Sequence, residues 1–430
     1  MKRKLIMLLS VFTLLSLLGC SADNKTDSVE TKTPEVSEDV LSVWAWDPNF
    51  NIYALKEAEK IYQETNPNFK LDIQENIFND IETKLVVAAQ SNDYSTLPDI
   101  ILMQDYSYEK FVKNFPDLFA DLTSSGINFA EFSQGKVASS TIDSKNYGVP
   151  FDNGVSVMAL RKDIIEEAGL TVDQFSDKTW NEFIELGKVV KEKTGLPMLT
   201  ASAGAETVMH MIQSSGQSVY VDGKIDLVNN EALLEAMNTY KQLVDEGILM
   251  EYTDWDQYIA SINTGKAAGL IQGCWIMSSI QNAEDQSGKW VLSNLPRLET
   301  DGATNYASMG GASWAVSKNG NIDLATDFLN KTFASNVEFY NDLLSIGAIT
   351  SYLPAANTSK YQEASEFYGG QKVYADIVEF SAGIPAFSYG AYLSEVRSAL
   401  TDAITNVIQN DADITSEIKA AQDAVDFSIE

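Results

Sequence analysis

The sequence predicts an α/β protein built from more than one folding unit, on three observations. At 430 residues the chain is too long for one ordinary core. Its apolar content of 45%, with 10% aromatics, is enough to fill sizeable cores. Short apolar strands also alternate with stretches of helical apolar spacing, the signature of parallel βαβ units.

The first 39 residues stand apart from that pattern. Lys2-Arg3-Lys4 precedes an apolar run from Leu5 to Leu18, shorter than a membrane span requires. The run closes in Leu17-Leu18-Gly19-Cys20, which resembles the bacterial lipobox. The resemblance implies a signal peptide over 1–19, cleavage before Cys20 and lipid on the Cys20 thiol. Residues 20–39 are rich in Ser, Thr, Asp, Glu and Lys and read as a disordered tether. Such a protein works outside the cytoplasmic membrane, held to the outer face of the cell membrane. With Cys20 lipidated, the other cysteine, Cys274, has no partner in the chain and is expected to be buried.

The folded part opens with Leu41-Ser-Val-Trp-Ala-Trp46, where period-2 alternation puts Trp44 and Trp46 on one face and Asp47-Pro48-Asn49 ends the strand. Ile52, Leu55, Ala58 and Ile61 follow helical spacing. Phe69–Ile73 alternates as a strand, and Ile81, Leu85 and Ala89 line a second helix. Asp99–Met103 reads as a buried strand running into Gln104-Asp105-Tyr106.

Tyr147–Gly154 is a punctuated crossing before a strand at Val155–Leu160. Thr179-Trp-Asn-Glu182 is a capping box that opens a helix stopping at Gly195. Further helices are expected over Glu231–Glu246 and Trp255–Thr264, each followed by a stop glycine, Gly247 and Gly265. Ala267–Ile271 is a buried strand that delivers Trp275 to its C-terminal edge. Pro296–Thr304 is turn-rich and reads as a second crossing. Met309–Val316 is a glycine-initiated strand, and Ser345–Ala355 reads as loop. Helical spacing closes the chain over Tyr389–Val407 and Ile414–Val425.

Composition excludes several function classes. A net charge of −31 argues against nucleic acid and against a polybasic membrane patch. The one histidine, His210, sits in an apolar helical run, where a packed and satisfied ring is expected, and a multi-histidine metal site is impossible. No metal and no cofactor is expected. Besides Arg3, only Arg161, Arg297 and Arg397 are present, none at a strand end, so the tight grip on a ligand carboxylate that arginine provides is not expected.

The chain resembles the bacterial extracellular solute-binding proteins of family 1, the carbohydrate-binding subunits of ABC importers related to maltose-binding protein. The segments that carry the resemblance are Trp44-Ala-Trp46, Tyr147-Gly-Val-Pro150 and Thr179-Trp-Asn-Glu-Phe183. They continue with Thr264-Gly-Lys-Ala-Ala268, Gly273-Cys-Trp275 and Gly310-Gly-Ala-Ser-Trp-Ala-Val316. The resemblance implies a two-lobed periplasmic-binding-protein-like (type II) fold with interleaved lobes and a hinge. Residues 40–150 with 306–370 would form one lobe, and 151–305 with 371–430 the other. It also implies a monomer that captures a sugar or oligosaccharide and presents it to the permease subunits of an importer.

A sugar needs flat rings for its C–H faces and carboxylate, amide or indole groups for its hydroxyls. The strand ends supply Trp44, Trp46, Asp47, Gln104, Asp105 and Tyr106 on one side, and Asp152, Asn153 and Trp275 on the other. Tyr389 and Tyr392 are further candidates; Gly310 and Gly311 would let backbone approach a ligand; Trp314 is a candidate for core or site. Resemblance gives Trp275 the role of stacking on a sugar ring. The rivals are a same-build binder of a non-sugar solute such as a peptide, a glycoside-acting enzyme, and a structural lipoprotein. An enzyme is not expected, because no nucleophile elbow, phosphate loop or metal spacing is present. Lysine over arginine and many asparagines point to a low-GC Gram-positive source.

Overall fold

A computed structural model describes residues 39–430 apart from Asp222, Ala386 and Glu430. The signal segment, Cys20 and nearly all of the tether therefore lie outside the described residues. Among the described residues no helix is long and apolar enough to cross a membrane.

Two five-stranded sheets organise the molecule. The chain lays down β1 (Val40–Ala45), β2 (Lys70–Glu75), β3 (Ile100–Gln104) and β4 (Gly148–Pro150). It then crosses to β5 (Ser156–Arg161), β6 (Leu199–Ser202), β7 (Leu249–Tyr252), β8 (Gly269–Gly273) and β9 (Trp290–Ser293). It returns with β10 (Ala312–Val316). The strand orders are β2-β1-β3-β10-β4 and β7-β6-β8-β5-β9.

The expected βαβ units account for β1–β3 and for β6–β8, whose pairings are parallel. The strand entered after each crossing, β5 or β10, is inserted antiparallel. A chain arriving from the other lobe enters the sheet without a crossover helix, so nothing obliges it to run parallel.

Both sheets are covered on both faces, which is why their central strands are apolar, while the edge strand β2 (Lys70–Glu75) alternates with exposed polar residues. In β3, Ile100 and Leu102 enter one core while Ile101 and Met103 enter the core on the opposite face. The same alternation sends Val43 and Ala45 one way and Trp44 the other. Thr179 and Glu182 form the capping box, and Gly195, Gly247 and Gly265 all take the left-handed conformation that stops a helix.

Crossings lie where backbone segments pair. Residues 151–156 run against 307–312: Ser156 N–H donates to Ala307 O at 2.8 Å, Met309 N–H to Gly154 O at 2.6 Å and Phe151 N–H to Ala312 O at 3.1 Å. Pro296–Thr304 is therefore not a crossing; Leu295 and Leu298 remain in the second sheet's core. A third passage joins in, with Asn153 N–H on Ile349 O at 2.7 Å. Tyr361 and Tyr368 already pack in the core under β5 and β8, so the final return precedes residue 370.

Gly154 belongs to this seam for steric reasons. A Cβ there would lie 2.4 Å from the Gly310 carbonyl carbon. Gly154→Ala should lower stability by about 1–3 kcal/mol or more, the cost of forcing atoms into a packed site. Urea unfolding midpoints of the two proteins measure it; an unchanged midpoint would mean the seam is not close-packed.

Candidate functional site

The C-terminal ends of the parallel strands in both sheets point at one cleft of about 610 Å³. From the first sheet, β1 delivers Trp46 and Asp47, β2 delivers Ile77 and Phe78, and β3 delivers Gln104 and Tyr106. From the second, β6 leads to Glu206, β7 to Trp255 and β8 to Trp275 and Ser278. Asp152, Met309, Gly310 and Gly311 form the floor along the crossings.

The rings make two walls. Trp46, Phe78 and Tyr106 stand edge to face in sequence, with centroids 5.3 and 6.1 Å apart. Opposite them, Trp255 and Trp275 lie 5.9 Å apart and 36° from parallel. Trp255 is 44% and Ile77 66% exposed, unusual for side chains of this size. The Trp275 indole N–H reaches Met309 O at 3.4 Å, which ties the ring to the crossing.

Eight of the residues predicted from sequence line this cleft: Trp46, Asp47, Gln104, Tyr106, Asp152, Trp275, Gly310 and Gly311. Asp47 is also spent locally. It takes a left-handed conformation, and its Oδ1 accepts from Asn49 N–H at 2.9 Å. Gly310 and Gly311 have φ of 85° and 86°, a conformation that favours glycine.

The other six lie elsewhere. Trp44 is a core residue packed with Ile81 and Leu85, its indole N–H bonded to Gln74. Pleat alternation was read correctly there, but the face opposite the first core is buried too. Trp314 is wholly buried beside Phe151 and Phe333. Asn153 stitches crossings through its Nδ2 to Thr350 O at 3.3 Å. Tyr389 backs Tyr106 at 6.2 Å, and Tyr392 precedes the first turn of the Leu393–Asn410 helix.

Asp105 points away from the cleft into a buried ion pair with Lys136, and Ser313 Oγ donates to its Oδ1 at 2.9 Å. Burial holds its carboxyl up at about 6, against the pull of the Lys136 ammonium. Asp152, 5% exposed, is raised by the same desolvation, and Ala312 N–H donates to its Oδ1 at 2.8 Å. One ammonium thus serves two buried carboxyl groups at the floor.

Sequence reasoning missed Glu206, Trp255, Phe78 and Arg397. Glu206 and Trp255 follow strands of four residues, too short to show a period. Arg397 enters from a helix rather than from a strand end. His210 is buried as expected, with Nδ1 2.7 Å from Ser156 Oγ, while its Nε2 makes no close, well-aligned hydrogen bond among the described residues. Cys274 is buried, its Sγ 3.0 Å from Asn153 O, and burial pushes its thiol well above the usual range.

The two lobes also touch beside the cleft. Lys110 Nζ meets Glu395 Oε1 at 3.4 Å, joining the short Tyr108–Asn114 helix to the Leu393–Asn410 helix.

Comparison with known proteins agrees with this architecture. The family described as bacterial extracellular solute-binding protein matches residues 57–368. A lactose-binding protein of Rhizobium radiobacter is 34% identical over 89% of this chain and 91% of its own length. An arabinooligosaccharide-binding protein of Halalkalibacterium halodurans is 25% identical over 82% and 81%. The fold is shared with an ABC transporter associated binding protein from B. animalis subsp. lactis, solved with β-1,6-galactobiose, at a TM-score of 0.74 and 21% identity over 90% of this chain and 97% of that one. It is likewise shared with the galacto-N-biose-/lacto-N-biose I-binding protein from Bifidobacterium longum, at 0.73 and 19% over 91% and 96%.

Removing the floor's cation should be costly. Lys136→Met leaves two buried carboxyl groups uncompensated and is expected to destabilise by about 3–5 kcal/mol near neutral pH. A carboxyl whose folded pKa lies above its unfolded value binds more protons when folded, so stability falls as pH rises through the folded value. Without Lys136 that value moves higher still. The loss should therefore be smaller at pH 5 than at pH 8, as urea unfolding at the two pH values would reveal; equal losses would refute the assignment.

Proposed function

Because this chain belongs to the bacterial extracellular solute-binding proteins, we propose that it captures a sugar or short oligosaccharide between its lobes and delivers it to the membrane permease of an ABC importer. The observation that carries the reading is the pair of facing aromatic walls, Trp46–Phe78–Tyr106 and Trp255–Trp275, with carboxylates between them. Aromatic faces take the apolar side of a pyranose, and Gln104, Asp152 and Glu206 offer partners to its hydroxyls. The lactose- and arabinooligosaccharide-binding relatives support the same class of ligand.

The mechanism follows from the crossings. Three adjacent passages restrict the lobes to a hinge motion. A ligand that touches both walls interacts more strongly with the closed arrangement, and that difference is what shifts the population. The closed form is the signal a permease can read. The protein binds without turning its ligand over, in keeping with relatives named as binding proteins. It acts as a monomer, with 1–19 removed and Cys20 lipidated as its anchor, and residues 40–150 and 306–360 against 151–305 and 361–430 as approximate jaws. Its lysine-rich usage supports a Gram-positive source.

A thermal-shift screen over mono- and oligosaccharides, with β-galactosides first, tests the reading. At least one sugar should raise the melting temperature; a shift from another solute class and from no sugar would overturn it. Trp275→Ala should cost at least ~2 kcal/mol of affinity for that sugar while the ligand-free melt is kept, as expected of a buried aromatic anchor. An unchanged dissociation constant in calorimetry removes Trp275 from the site. Bound sugar should also slow alkylation of Cys274, whose thiol lies against the crossing beneath Trp275.

A further inference from the structure

The second lobe's wall holds a polar pair that aromatic stacking does not explain. Glu206 opens the Glu206–Ser215 helix just past β6, and Arg397 reaches in from the Leu393–Asn410 helix; both line the cleft. They are neighbours whose charges act through space, while Arg397 turns its hydrogen bonding to Tyr106 on the opposite jaw. Burial raises the Glu206 carboxyl above its ordinary range despite that guanidinium. The same burial lifts the Tyr106 hydroxyl to about 12, so it remains a donor.

Behind Glu206 the wall is polar and dry. The Gln272 amide lies beside His210 and Tyr258, all three buried. Burial and the Arg397 charge hold the His210 imidazole down at about 3, so it is neutral. Among the described residues, His210 Nε2 and the Tyr258 hydroxyl have the Gln272 amide as their polar neighbour, and neither makes a close, well-aligned hydrogen bond. Interiors normally satisfy such groups. A set that shares the single Gln272 amide, with a desolvated carboxylate as its cleft-facing member, suits ligands that bring hydroxyl groups.

We propose that Glu206 and Arg397 are a specificity-determining pair that reads two adjacent hydroxyls of one sugar ring. The carboxylate accepts from both O–H groups and the guanidinium donates to their oxygens. A hydroxyl is donor and acceptor at once, so a fixed carboxylate beside a fixed guanidinium distinguishes it from a hydrogen and from a charged group. Asp47, Asp152 and Glu206 outnumber Arg397 in the lining, so a uronic acid is disfavoured against its neutral parent. Tyr106 links the pair to the other jaw, which makes the reading depend on closure.

This inference rests on the sugar-capture reading, and one experiment separates the two. Calorimetry is run with the sugar that gives the largest thermal shift, its monodeoxy analogues and its uronic acid. The proteins are wild type, Glu206→Gln and Arg397→Met. Two neighbouring deoxy positions should each cost the wild type about tenfold or more, the loss expected for hydrogen bonds to charged groups. The same deletions should cost the variants severalfold less, and the uronic acid should recover affinity on Glu206→Gln. Ligand-free melts show that the variants fold; if Glu206→Gln does not, Arg397→Met carries the same cycle. Identical deoxy penalties in wild type and variants would overturn the pair while leaving sugar capture intact. A wild type that binds no sugar would overturn both.

Discussion

Everything in the molecule hangs on the close backbone contact between the first two crossings. Gly154 packs on the Gly310 backbone where it could carry no side chain, Gly310 takes the left-handed φ that favours glycine, and hydrogen bonds on either side lock their register. That contact fixes which strand each lobe receives from the other. It thereby fixes the antiparallel insertion of β5 and β10 and the position of the cleft floor. A hinge made this way bends without sliding. Lobes joined by one linker would tumble; lobes joined by paired strands have one soft direction.

The floor is also where the electrostatics are least forgiving. Lys136 from the first lobe sits under Gly311, against Asp105 and within the field of Asp152 on the crossing. Buried ion pairs are poor sources of net stability, so their value is better sought in specificity of arrangement. Here the arrangement holds Asp152 with one oxygen tied to Ala312 N–H while its side chain lines the cleft. The Lys110–Glu395 contact at the rim is of another kind. It is partly exposed and worth about 0–1 kcal/mol. It can bias the open–closed balance without overriding a ligand.

Much of this was legible in the sequence because strand ends announce themselves. Trp46, Gln104, Tyr106 and Trp275 follow apolar runs long enough to be read as buried strands, and they stand in the cleft. Trp44 was misplaced because alternation tells which residues share a face but not whether that face meets solvent, and a second core covers it. Asp105 fell to the same ambiguity, since a strand end near a ligand is also a strand end near the core, while Trp314, left open between core and site, sits mid-strand in the core. Glu206 and Trp255 left no trace, since four-residue strands have too few positions to display a period. Arg397 could not be found from strand ends at all. Its placement depends on how the Leu393–Asn410 helix docks on the second lobe, a tertiary fact.

Trp275 shows how the cleft and the hinge become one device. Its strand, β8, pairs antiparallel with β5, the first strand after the crossing. Its neighbour Cys274 donates its backbone N–H to Val155 O at 2.7 Å, while its own indole leans on Met309 O of the return crossing. The ring is therefore attached to both strands of the hinge. In the first wall, Trp46 and Phe78 have no such tie among the described residues and rest on turns and helices of their own lobe, whereas Tyr106 follows Asp105, whose N–H donates to Gly311 O at 3.1 Å. A ligand that presses on Trp275 presses on the crossings directly, whereas one that touches only Trp46 and Phe78 does not. Binding energy spent at Trp275, or at Tyr106 beside the Asp105–Gly311 bond, is the part that can be converted into closure.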